Sequence, residues 1–344
     1  MLWWMLNLAL AQEPVLDVYR ALSTKYDSEV LESAAIEGML SAVDRERGVS
    51  GSKLLSNSDY QSYQSWLTGE RDGYGMRIQM IPGHGMLVEH VMPASPAEKV
   101  GIQTGDLITT LNTRTLAGMS PENMLQVLEA EGLTRLKVDV VRQGQLLQFA
   151  MVKGGFQVPQ VSGLESVAIH FFGDGVHREV AKRLSDPEQQ LILDLRDNTG
   201  GIWDEAIGTL DLFFPSKTVL AYRQAPDGTT IPILSQHDAV YTGEVIVLIN
   251  HETSGPAELV ALTLQENQRA TVIGERSQGR NLDYTVQRVN SEWVLLLADT
   301  HLLSSQRRTW YQTGVVPNVS ISSKATYRGE DRQLQTAIQL LRAQ

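Results

Sequence analysis

The sequence predicts a multidomain α/β protein, α+β when its domains are taken together, on three observations. Apolar residues recur at helical spacing over residues 14 to 43. Further on, short strands are set off by glycine and proline, with Leu136 to Val141 alternating as a half-buried strand does. Finally, two nearly continuous apolar runs, Gln190–Leu195 and Val245–Ile249, have the composition of strands buried on both faces, and each leads through a glycine-bearing turn into a helix.

The chain has 344 residues, enough for two or three hydrophobic cores. Its 29 basic and 40 acidic residues give a formal charge of −11, which argues against nucleic acid or an anionic membrane as the main partner. There is no cysteine, so disulfides, thiolate metal sites and a cysteine nucleophile are excluded. The seven histidines show no H-x-x-x-H spacing, and neither a metal nor a cofactor is expected.

In chain order, residues 1–11 form an apolar run ending in Ala9-Leu10-Ala11. It resembles a signal-peptide h-region with its cleavage site, though without a basic n-region, and it is too short to span a bilayer. Residues 12–70 form a helical amino-terminal region: Val15, Val18, Tyr19 and Leu22 share one stripe, and Val30, Leu31, Ala34, Ile36, Met39 and Leu40 another. The helices are expected to end at Asp44, before a polar linker with short helical turns.

Residues 71–155 resemble a bacterial-type PDZ domain. Gly73-Tyr74-Gly75-Met76 stands where such domains carry the loop that binds a terminal carboxylate. A strand from Arg77 to Ile81 follows, and Pro93–Ala97, Gly101-Ile102 and Gly105–Ile108 match the second PDZ signature. Ser120-Pro121 starts a helix with serine as cap and proline at its first position. The resemblance implies that Gly73, Tyr74, Gly75, Met76, Arg77 and Ile78 bind a peptide C-terminus, with Val127 and Leu128 selecting its last residue.

Residues 156–326 resemble the core of the tail-specific, or C-terminal processing, peptidases of family S41, which implies a ClpP/crotonase-like α/β fold. Gln190–Leu195 with the turn Arg196-Asp197-Asn198-Thr199-Gly200-Gly201 and a helix from Trp203 to Phe214 is similar to the family's L-I-L-D-L-R-x-N-P-G-G segment. Val245 to Arg280 is similar to its catalytic segment, with Glu258 and Gly274-Glu275 fixing the register. Thr285-Val286-Gln287 and Gly314–Val319 resemble later motifs, Val294 to Leu297 reads as a strand, and residues 327–344 match the terminal helix.

In that register the family's serine falls on Gly255, the residue after it on Pro256 and the general-base lysine on Arg280. Glycine has no hydroxyl with which to form an acyl-enzyme. Proline has no N–H to offer an oxyanion, a loss worth roughly 100- to 1,000-fold in rate. Arginine stays protonated and cannot act as the base. Gln287, whose family counterpart orients the lysine, stands seven residues after Arg280 rather than four, so that Tyr284 is the other candidate for that position. The resemblance implies that one oxyanion donor is retained, at Gly200 or Gly201. The same residues also read as plain structure, since Gly255 and Pro256 cap and start a helix well and the glycine pair lets a strand turn tightly.

Three functions follow. The first is a pseudo-protease of the periplasm or cell envelope that binds protein C-termini or unfolded polypeptides and scaffolds or regulates a partner, an active peptidase among them. The second is an active serine peptidase with a displaced nucleophile, Ser254 or Thr253, served by His251. The third is a carrier of a small hydrophobic ligand on the same fold. The stripe Leu334, Ile338 and Leu341 suits either a homodimer or packing on its own domain.

Overall fold

The computed structural model describes residues 16–130, 134–163, 166–184, 186–322 and 331–343; the signal-like segment 1–11 lies outside them. The chain divides into two compact units. One takes the amino-terminal region to Tyr60 with Ala225–Thr229 and Leu282–His301, and the other takes the remainder.

In the first unit a helix over 16–23 is followed by the helix Ser28–Glu46, to which it is tied by Tyr19 Oη donating to Glu32 Oε1 at 2.8 Å. This helix runs two residues past the expected stop at Asp44. The buried Asp44 carboxylate accepts from the N–H groups of Gly51 and Ser52 at 2.9 and 3.0 Å, so it fixes the following turn rather than the helix end. The expected linker is instead a strand, Lys53–Ser56, and a full helix, Asn57–Leu67. The strand is held by a partner distant in sequence, pairing Lys53 with Leu296 and Ser56 with Trp293, while Leu282–Arg288 pairs with the same long strand Trp293–Ser304.

In the second unit two of the sheets carry separate cores. In the PDZ region the order is Met76–Ile81, Gly85–Val91, Leu107–Leu111, Arg135–Arg142 and Gln145–Val152, so Met76–Ile81 forms an edge. Met86, Val88, Ile108, Leu116, Met124 and Val140 fill the core. Ser95 caps the short helix Pro96–Val100 and Gly101 closes it in the left-handed conformation at φ 89°, while Pro121–Ala130 is the helix foreseen at Ser120.

The α/β core is a six-stranded sheet ordered Val161–Ser162, Val167–Ile169, Leu191–Asp194, Val245–Ile249, Ala270–Gly274 and Val319–Ser320, parallel except at the first pairing. Alternation along the strands explains its layers. Leu191, Leu193, Val245, Val247 and Ile249 pack with the helices Val176–Arg183, Trp203–Asp211 and Pro256–Glu266; Ile192, Ile246, Leu248 and Ile273 face the terminal helix Arg332–Ala343. Both faces are covered, which is why these strands read as unbroken apolar runs. The stripe Leu334, Ile338 and Leu341 thus packs on its own sheet. Trp203–Asp211 ends short of Phe214 because Leu212 and Phe213 donate to carbonyls three residues back, tightening the last turn.

Candidate functional site

The turn from strand Val245–Ile249 into helix Pro256–Glu266 is sharp, and Gly255 at its apex has φ 57° and ψ −119°. Serine hydrolases mount their nucleophile on a strained strand-to-helix turn of this kind. A β-carbon on Gly255 would lie 3.9 Å from Gly200 Cα and 3.9 Å from Trp203 Cζ2, so the position has room for a side chain but a backbone that favours glycine. Among the hydrogen bonds that fasten the turn to the segment after Leu191–Asp194, Ser254 N–H donates to Asn198 O at 2.9 Å, and Thr253 Oγ1 to Leu195 O at 2.8 Å.

Glu258, in the first turn of that helix, binds the surrounding loops together. Its fully buried carboxylate accepts from Gly255 N–H at 2.8 Å, Arg280 N–H at 2.7 Å, Gly279 N–H at 2.6 Å and the Ser277 hydroxyl at 2.5 Å. Burial pushes its carboxyl above the usual glutamate range, and the four donors pull against that shift without reversing it. Sequence reasoning used Glu258 only as a register mark. The signal for its role was a glutamate three residues after a helix cap, the spacing at which a carboxylate reaches back to the cap's N–H.

The two glycines of the retained turn differ. Gly200 N–H donates to Asn198 Oδ1 at 3.0 Å, whereas Gly201 N–H has no acceptor among the described residues. Gly201 is therefore the remaining donor candidate. Its φ is 133°, and a β-carbon there would come within 2.3 Å of Phe172 O, so only glycine fits. Pro256 Cδ lies 3.5 Å from where a β-carbon on Gly200 would be, and Trp203 stands beside Trp310 with ring centroids 6.4 Å apart.

The remaining expected residues do not form a nucleophile–base pair. Arg280 is exposed; its main chain is engaged on both sides, N–H to Glu258 and carbonyl to Trp310 Nε1. Gln287 is exposed on strand Leu282–Arg288, in the first unit. Ser254 is 1% exposed, and its hydroxyl makes no hydrogen bond among the described residues. His251 faces carboxylates instead, with Nδ1 3.2 Å from Glu275 and Nε2 3.4 Å from Glu252. Thr253 Oγ1 is buried and committed to the main chain. No cluster of metal-binding side chains occurs among the described residues.

At the PDZ region, Gly73 ends the strand Glu70–Gly73, Tyr74 and Gly75 form the turn, and Met76 starts the edge strand containing Arg77 and Ile78. Val127 faces inward. At 5% exposure it belongs to the domain core, because helical periodicity turns Met124 and Val127 onto the sheet and leaves Leu125 outward, 46% exposed. The side chain of Leu128 lies outside the described residues.

Arg77 also carries contacts that no motif announced. Its guanidinium lies 2.9 Å from Asp197, 3.4 Å from Glu89 and 3.9 Å from Glu252, and His90 Nδ1 lies 3.3 Å from the other Asp197 oxygen. Asp197 belongs to the Arg196–Gly201 turn and has φ 59°, and its carboxylate also accepts from Asn250 Nδ2 at 3.1 Å. Burial alone would raise the Asp197 carboxyl, but His90, Asn250 and Arg77 together hold it below the usual range. The edge strand of one module is thereby ion-paired to the glycine turn of the other.

The arrangement matches known families. Residues 165–321 match the model of peptidase family S41 and residues 65–140 that of the PDZ domain, and the chain is similar to C-terminal processing proteases. It is 24% identical to the carboxyl-terminal-processing protease of Synechocystis sp. over 98% of this chain and 81% of that protein. It is 22% identical to the carboxy-terminal processing protease CtpA of Bacillus subtilis over 86% of this chain, spanning 65% of that relative's length. Among solved structures, the photosystem II D1 C-terminal processing protease aligns with a TM-score of 0.56 at 17% identity, covering 91% of this chain and 94% of that one. A putative S41 protease from Bacteroides fragilis aligns at 0.59 and 17%, covering 85% and 86%. These structural likenesses establish the shared fold.

Proposed function

We propose that this chain is a pseudo-peptidase of the cell envelope that captures protein C-termini through its PDZ domain and scaffolds or regulates a partner instead of cleaving. What carries the reading is the pair Gly255-Pro256 at the sharp turn, which supplies neither a hydroxyl nor an N–H where acyl transfer needs both. Two observations support it. No lysine occurs between Lys217 and Lys324, so no lysine stands near the turn in sequence to replace the exposed Arg280. In addition, the alternative Ser254 is buried and His251 is turned to carboxylates.

Capture is supported by the PDZ match and by Met76–Ile81 lying at a sheet edge, where an extended peptide can add as a further strand. Placement in the envelope is supported by the likeness of residues 1–11 to an export signal; among the described residues no helix is long and apolar enough to cross a membrane. The test is a panel of fluorescent peptides in free-acid and amidated forms, followed by mass spectrometry of the bound fraction. Binding that needs the free carboxylate, with every peptide recovered intact, is the expected result. Equal binding of amidated forms or recovery of shortened peptides contradicts it.

A further inference from the structure

The edge strand presents two different faces to a ligand. Met76, Ile78 and Met80 pack toward the apolar core of the PDZ region, whereas Arg77 and Gln79 lie on the opposite face. A peptide added along this strand alternates likewise. With its carboxylate at Gly73–Met76 and its last side chain on the Met76 and Ile78 face, its penultimate side chain comes to the face of Arg77.

That face carries a surplus of negative charge. Glu89, Asp197 and Glu252, three carboxylates, surround the single guanidinium of Arg77 at 3.4, 2.9 and 3.9 Å. Burial holds the His90 imidazole below its ordinary pKa despite Asp197, so it adds little positive charge near neutral pH. His251, 57% exposed, reaches Glu252 but is shared with another carboxylate, Glu275, and so does not cancel the surplus. The longest of the three Arg77 contacts leaves Glu252 loosely held, and its side chain is 27% exposed, so it remains open to a further cation.

We infer that the domain selects C-termini whose penultimate residue is lysine or arginine, through Glu89, Asp197 and Glu252 gathered on the Arg77 face of the edge strand. The inference rests on the reading that this domain captures C-termini. Because the carboxylates are partly exposed, the preference is modest: about three- to tenfold between a basic and an acidic penultimate residue. It weakens with salt, as exposed pairs do.

The test uses the full chain and free-acid peptides of one sequence ending in an apolar residue, with Lys, Ala or Glu at the penultimate position. Affinity is read by fluorescence anisotropy at low and high salt, beside amidated controls. The expected order is Lys tighter than Ala tighter than Glu. The spread should narrow at high salt and in the double variant Glu89→Gln, Glu252→Gln, whose fold is checked by circular dichroism. Peptides that need their free carboxylate yet bind equally with Lys and Glu overturn the inference and leave the capture reading standing. Absence of any carboxylate-dependent binding overturns both.

Discussion

Replacing Gly255 by serine restores the missing hydroxyl and tests the turn's physics at the same time. With φ 57° and ψ −119°, a side chain at this position lies in a sparsely populated backbone region, which costs about 1–3 kcal/mol. The nearest atoms to an added β-carbon are Gly200 Cα and Trp203 Cζ2, both at 3.9 Å, which is ordinary contact, so no clash adds to that cost. Gly255→Ser should therefore fold, with its α/β core destabilised by about 1–3 kcal/mol. Urea unfolding followed by tryptophan fluorescence reads this, since Trp203 and Trp310 lie in that core. The variant should still fail to react with a serine-directed phosphonate, because Pro256 withholds the oxyanion donor and Arg280 cannot take the proton. A loss well beyond 3 kcal/mol would show that the turn cannot hold a side chain. Rapid labelling would show that a base has been overlooked.

Other substitutions follow from the same geometry. Glu258→Gln replaces one of the two accepting oxygens by a donor and leaves at least one of the backbone N–H groups of Gly279, Gly255 and Arg280 unpaired, so it should destabilise by about 2–4 kcal/mol, and Glu258→Ala by more. Because the folded-state pKa of Glu258 is raised above 4.5, the folded form holds its proton longer than the unfolded chain does. The wild type's advantage over Glu258→Gln should therefore shrink as pH climbs from 4.5 through the raised value, as pH-dependent unfolding curves would reveal. Asp197→Asn should be milder than Asp197→Ala by about 1 kcal/mol in thermal unfolding, since asparagine tolerates φ 59° and keeps an oxygen for Arg77. Leu341→Ala should cost about 2–4 kcal/mol without changing the mass seen by light scattering, because that side chain fills the sheet of its own chain.

What could be read from the sequence was whatever the chain states locally. Val245–Ile249 is apolar at every position because both its faces are covered, and Gly255-Pro256 announces a turn and a helix start by backbone chemistry alone. Features created by distant partners were hidden. Lys53–Ser56 is a strand only because Trp293–Leu296 pairs with it, and nothing in its own composition required that. Arg77 and Asp197 stand 120 residues apart, each unremarkable alone, and their ion pair exists only once the edge strand meets the glycine turn. Val127 shows another limit: helical periodicity marks residues that face the sheet without separating core from groove, and Val127 lies in the core cluster. The terminal stripe was ambiguous between a partner chain and its own sheet until Ile192, Ile246 and Leu248 were seen beneath it.

The central claim is that the sharp turn of an S41 fold has been kept without the means of acyl transfer. Intact-mass analysis of the wild-type protein after incubation with a serine-reactive phosphonate tests it most directly. The account predicts an unchanged mass, in parallel with no cleavage of unstructured casein. A covalent mass shift mapped to Ser254, retained in Gly255→Ala and lost in Ser254→Ala together with casein cleavage, would contradict it and establish a displaced nucleophile.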